Sequence, residues 1–68
     1  MTFNKQQFSE DLFMLRNTKG LSRAAAAKEI DIHPSSVQYL ESGLNEPRMS
    51  NYIKVVKWMG LQFEHYIN

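Results

Sequence analysis

Apolar side chains recur along this chain at helical intervals, and each run of them is bounded by a residue that starts or stops a helix. Phe8, Leu12 and Leu15 follow i, i+4, i+7 spacing, the buried stripe of an amphipathic helix. The spacing predicts a first helix opening near Asn4 or Ser9 and ending near Lys19, closed by Gly20. Asn4 with Gln7 three residues later is a candidate capping box. Ser22 is a good N-cap for a second helix from Arg23 to Ile30. Its four alanines, Ala24 to Ala27, combine high helix propensity with a smooth surface that another helix can approach closely. Asp31 and Ile32 make a turn. His33 then precedes Pro34, and proline suits the first helical position, where no amide donor is needed. Val37 and Leu40 lie three apart on one buried stripe, and Gly43 closes this third helix. Leu44 to Arg48 is a loop, with Pro47 holding Glu46 extended. Ser50 is expected to cap a fourth helix from about Asn51 to Met59, with Tyr52, Val55, Val56 and Met59 inside and Gly60 at its end. The last segment, LQFEHYIN, reads two ways. Leu61, Phe63 and His65 alternate as in a short strand, whereas Phe63, Tyr66 and Ile67 fit a short fifth helix.

Two short helices joined by a tight turn, the second ending on glycine, have the layout of a helix-turn-helix. That unit presents one exposed helix face to the DNA major groove. The expected fold is therefore all-α, with four to five helices, and residues 1–68 form one domain in which 61–68 is a candidate dimerisation tail.

Composition narrows the picture. Sixty-eight residues make one domain with a small core, of the size that commonly gains stability from disulfides, metals or self-association. The absence of cysteine excludes disulfides and thiolate metal sites and fits a reducing cytoplasm. His33 and His65 are too few and too far apart for zinc, so no cofactor is expected. No segment is long or apolar enough to span a membrane, and no signal peptide is visible. No nucleophile–histidine–acid set or phosphate loop argues for an enzyme. The formal net charge is only +1, small for a nucleic-acid binder, so distribution matters more than the total. Arg16, Lys19, Arg23 and Lys28 cluster around the first two helices, and Arg48, Lys54 and Lys57 follow the third.

With LRNTKGLS, the four alanines, Ile30, Ile32, Val37, Leu40, ESG, a short loop and PRMSNYIKVVKWMGL, the chain resembles the phage Cro/repressor (xenobiotic-response-element type) family of helix-turn-helix proteins. The resemblance runs from about Phe8 to about Leu61. Two positions depart from the pattern. Asp31 stands where the family has glycine, and aspartate tolerates the left-handed conformation better than most residues. Ala26 stands where the family has a large aliphatic residue, a space for Phe13, Met14 or Met49 to fill. The resemblance implies a homodimeric transcriptional repressor of a phage, prophage or mobile element. Such a protein occludes a promoter at a palindromic double-stranded DNA operator, including its own, under control of its own concentration. Antitoxins that bind a toxin or another protein partner share this fold and are the second class.

Candidate residues follow. The first turn of the third helix and the residues one turn on reach base edges in such units. That makes Pro34, Ser35, Gln38 and Tyr39 base-contact candidates: glutamine can bond adenine through two groups, and a ring can touch a thymine methyl, the other reading of Tyr39 being a phosphate contact. His33 is either a cap or a further DNA contact. Ser22, Arg23, Ser42, Asn45 and Arg48 are the phosphate candidates, since the N-terminus of the second helix favours anions and the loop after Gly43 would grip the backbone. In the family an arginine and a glutamate matching Arg16 and Glu41 often pair inside the domain; the other reading of Arg16 is a phosphate contact. Ile53, Trp58, Leu61, Phe63 and Tyr66 are the dimer candidates, with Trp58 either exposed or packed beneath the tail.

Overall fold

Asn4 opens the first helix, and its side chain accepts the amide of Gln7 at 3.2 Å. The computed structural model describes residues 2–67, which form α1 (Lys5–Thr18), α2 (Arg23–Ile30), α3 (Pro34–Ser42) and α4 (Met49–Met59), followed by one 3-10 turn, Phe63–Tyr66. The capping box at Asn4 is only half made. Gln7 sends its side chain forward to Asp11 at 2.8 Å, and the Asn4 amide donates instead to the Tyr66 carbonyl at 2.8 Å. Ser9, the other candidate start, is buried inside α1 and donates to the Gln6 carbonyl.

Ser22 caps α2 by accepting the Ala25 amide at 3.1 Å. Asp31 ends it in the left-handed conformation, φ 73° and ψ 50°. The amides of Asp31 and Ile32 both return to the Ala27 carbonyl, at 2.8 and 3.0 Å, which satisfies the end of the helix and bends the chain into α3. Gly43, at φ 69°, closes α3. Here the missing side chain matters twice, because a Cβ would also lie 2.8 Å from the Ser9 hydroxyl.

The fourth helix starts earlier than the sequence predicts. Arg48, extended after Pro47, is its N-cap, and the Arg48 carbonyl accepts the Tyr52 amide at 2.9 Å. Ser50 therefore lies within the first turn and caps nothing.

One core joins these helices: Phe8 and Leu12 from α1, Ala26 and Ile30 from α2, Leu40 from α3, and Tyr52, Val55 and Val56 from α4, with Tyr66 from the 3-10 turn. Ala26 is fully enclosed, yet Phe13, Met14 and Met49 are all exposed, so none of them fills the space beside it. Aromatic rings close the core instead. Phe8 lies 5.5 Å from both Phe3 and Tyr52 and 5.3 Å from Tyr66, centroid to centroid. Phe8 meets Tyr66 edge to face and the other two rings at a tilt, and aromatic pairs of this kind add to the area they bury.

The end of the chain takes something of both expected forms. Phe63–Tyr66 makes the 3-10 turn, and Ile67 forms a lone antiparallel bridge with Phe3. Tyr66, a dimer candidate from the sequence, is 3 % exposed. Its hydroxyl donates to Asp11 at 2.8 Å, so it belongs to the core and not to a docking surface. The reason is tertiary: the tail folds back onto α1 and covers the ring.

Candidate nucleic-acid interface

The turn between α2 and α3 is held from outside as well as by its own amides. Lys54 of α4 donates to the Asp31 carbonyl at 2.9 Å, with its ammonium 3.6 Å from the Asp31 carboxylate. At the start of α3 the His33 ring accepts the Ser35 amide at 3.1 Å, and Pro34 follows with no amide to satisfy. Val37 and Leu40 anchor α3 in the interior. The opposite side of α3 is left free: His33, Pro34, Ser35, Gln38 and Tyr39 are all exposed. Helix periodicity brings these base-contact candidates together, because residues 35, 38 and 39 share a face when 37 and 40 point inward.

The residues expected at phosphates are more dispersed. Ser22 spends its oxygen on the α2 cap, which leaves its hydroxyl proton to offer. Arg23 is half-exposed at the start of α2, and its Nε lies 3.6 Å from Glu41. Ser42 is a poorer candidate than its position promised, since its hydroxyl donates to the Tyr39 carbonyl at 2.6 Å. Asn45 and Arg48 are exposed on the loop between α3 and α4.

Arg16 and Glu41 meet beneath this surface. Arg16 Nε and Nη2 donate to the two Glu41 oxygens at 2.6 and 3.2 Å, and Nη1 donates to the Leu21 carbonyl at 2.9 Å. The side chains are 10 % and 5 % exposed. Arg16 is thereby committed to joining α1, the α1–α2 loop and the end of α3.

A polar groove of about 810 Å³ runs between the first turns of α3 and α4. His33, Ser35 and Tyr39 line one wall, and Arg48, Asn51 and Lys54 the other. Asn51 and Lys54 did not emerge as site residues from sequence. Their spacing from Arg48, three and six residues, is a helical signal that was available, but only the packing of α4 beside α3 turns it into a groove wall.

A helix-turn-helix family model matches residues 12–65, a span that holds all four helices' core positions except Phe8. The chain belongs to this family, of the Cro/repressor type. The family is one of DNA-binding transcription regulators, and the match covers α2, the Asp31 turn and α3 as one continuous unit. Comparison with curated proteins and with solved structures gave no match. Among the described residues no helix is long and apolar enough to cross a membrane.

The dimer candidates divide in the structure. Ile53 and Phe63 are 41 % and 43 % exposed. Leu61 is half-buried against the core. Trp58 is also half-buried, its indole N–H donating to Glu29 at 3.0 Å and Lys19 lying 5.6 Å from its ring. It ties α4 to α2 within one chain. Met49, one turn before Ile53, is exposed on the same side of α4. From sequence Met49 is a candidate for the space beside Ala26, and only the packing of α4 shows that it faces outward.

Proposed function

We propose that this chain is a sequence-specific repressor that binds a palindromic operator as a homodimer and acts by covering a promoter, its own included. The observation that carries this reading is the exposed polar face of α3 beside a groove bearing Arg48 and Lys54. Side chains that can read base edges and cations that can meet phosphates lie on one side of the molecule. Phosphate contacts would fix the register of α3, and Gln38, Ser35 and their neighbours would choose the sequence.

One α3 covers only one half-site, so tight binding calls for two copies about 34 Å apart on the duplex. A two-fold dimer uses the same patch on both subunits. Met49 and Ile53 supply exposed apolar surface for it on the flank of α4 away from Asn51 and Lys54, which leaves the groove free, and exposed Phe63 lies against the Tyr52 ring of the same helix. Beside Met49 a small apolar pocket of about 200 Å³ is lined by Phe3, Pro47, Tyr52 and Ile67. It supports a second reading, in which this flank takes a side chain of a toxin or other protein partner.

Gel-shift titration against the DNA flanking the chain's own gene, with sedimentation in parallel, tests both readings. A two-protomer complex on one operator is expected, and Ile53→Asp should stop at a weak one-protomer complex while remaining folded. Operator binding as a strict monomer would refute the dimer and favour the second reading for this flank. No selective binding to any duplex would refute the repressor.

A further inference from the structure

His33 holds the start of α3 in a way that also fixes its own chemistry. Its Nδ1 receives the Ser35 amide at 3.1 Å and lies 2.8 Å from the Ser35 hydroxyl. An amide N–H can only donate, so Nδ1 must present its lone pair to the cap. The neutral ring then carries its single proton on Nε2. That atom lies across the ring from the cap and has no hydrogen-bond partner among the described residues. The ring is exposed and borders the groove beside α3. His33 therefore offers its surroundings a donor and no acceptor.

We propose that His33 is a specificity-determining residue that reads a hydrogen-bond acceptor on a base edge, guanine above the others, through Nε2–H. The proposal rests on the DNA-binding reading and goes beyond it by assigning a sign and a preferred base to one side chain. In the major groove guanine shows two neighbouring acceptors, N7 and O6, whereas cytosine shows an amino donor. Adenine sets its N7 beside an amino donor, and thymine sets O4 beside a methyl group. A fixed donor is drawn to guanine and repelled by the amino groups. An unconstrained histidine could switch tautomer and accept from an amino group; here that switch would cost the bond from the Ser35 amide. The N-cap of the recognition helix is also the end that comes closest to base edges in this kind of docking.

Two measurements test this. A long-range proton–nitrogen correlation spectrum of the free protein, with the ring neutral, should show the Nε2-protonated tautomer for His33. The second uses His33→Ser, because serine is a preferred N-cap whose oxygen keeps the bond from the Ser35 amide, and its only proton sits on that capping oxygen, short of the position Nε2 occupies. This variant should melt close to wild type, whereas His33→Ala should melt lower. In selection from random duplexes, His33→Ser should lose about five- to tenfold of the guanine preference at one position per half-site, the loss expected for one hydrogen bond. Replacing that guanine by its deaza analogue lacking N7 should weaken wild type and leave His33→Ser unchanged. An Nδ1-protonated ring, or undiminished guanine preference in His33→Ser, overturns the proposal. Wild type without any sequence preference refutes the DNA-binding reading along with it, and the spectrum, recorded without DNA, separates that failure from a failure of the cap argument.

Discussion

Removing Glu41 should nearly unfold this protein, although the residue sits at the end of a short helix near the surface. Its carboxylate receives two guanidinium bonds from Arg16, at 2.6 and 3.2 Å, with both side chains nine-tenths or more buried. Water therefore screens the pair little. Glu41→Ala leaves the Arg16 charge enclosed with the Leu21 carbonyl and the face of the Phe13 ring but no counter-charge to answer it, and Arg23, 3.6 Å from the same carboxylate, loses a counter-charge too. Breaking a buried pair from one side costs roughly 3–5 kcal/mol. A chain of this size has only about 3–10 kcal/mol of total stability. Taking the lower cost, about 3 kcal/mol, the midpoint of thermal unfolding should fall by roughly 12–24 °C. Two companion variants give the number its meaning. Arg23→Ala should cost less than about 1 kcal/mol, because that arginine is half in water and its contact is long. The double change Arg16→Met with Glu41→Leu should recover most of the loss, since a buried pair is close to neutral against an apolar replacement of similar volume. Far-ultraviolet circular dichroism melts of the four proteins suffice. A Glu41→Ala midpoint within about 3 °C of wild type, less than 1 kcal/mol on this scale, would refute the reasoning and show that Arg16 finds water or another partner once freed.

Three further outcomes are expected. Gln38→Ala should weaken operator binding by about 1–3 kcal/mol per half-site and leave non-specific binding unchanged, whereas Arg48→Ala should weaken all sequences alike and lower the salt slope by about one per half-site; titrations at several salt concentrations on operator and random duplexes distinguish them. Burial raises the hydroxyl pKa of Tyr52 and, together with the bond to Asp11, that of Tyr66 above the ordinary value of 10.0. The unfolded chain then loses these protons first, so stability from both groups is intact below pH 10 and falls as pH rises beyond it; melts across that range should show the decline, and Tyr66→Phe should lessen it. Gly43→Ala should cost about 1–2 kcal/mol from left-handed strain alone, and more where its Cβ meets the Ser9 hydroxyl; denaturant unfolding in wild-type and Ser9→Ala backgrounds separates the two contributions.

The local signals were strong wherever one residue acts on its own neighbourhood. Ser22, Asp31, Pro34 and Gly43 set the limits of α2 and α3 because caps, turns and proline work through bonds to the next three or four residues. Val37 and Leu40 likewise fixed which side of α3 faces out, and so which side chains are offered to a groove. Sequence by itself therefore determined the helix-turn-helix and its exposed face. It could not determine what the fold does with residues far apart in the chain. Tyr66 is a core ring because the tail returns across α1 to Asp11, and Trp58 is occupied because α2 brings Glu29 to it. Arg48, Asn51 and Lys54 form a groove wall because α4 packs beside the start of α3. Each of these depends on a contact between segments well separated in the chain, whose geometry is decided by closure of one small core, and no local spacing encodes that closure.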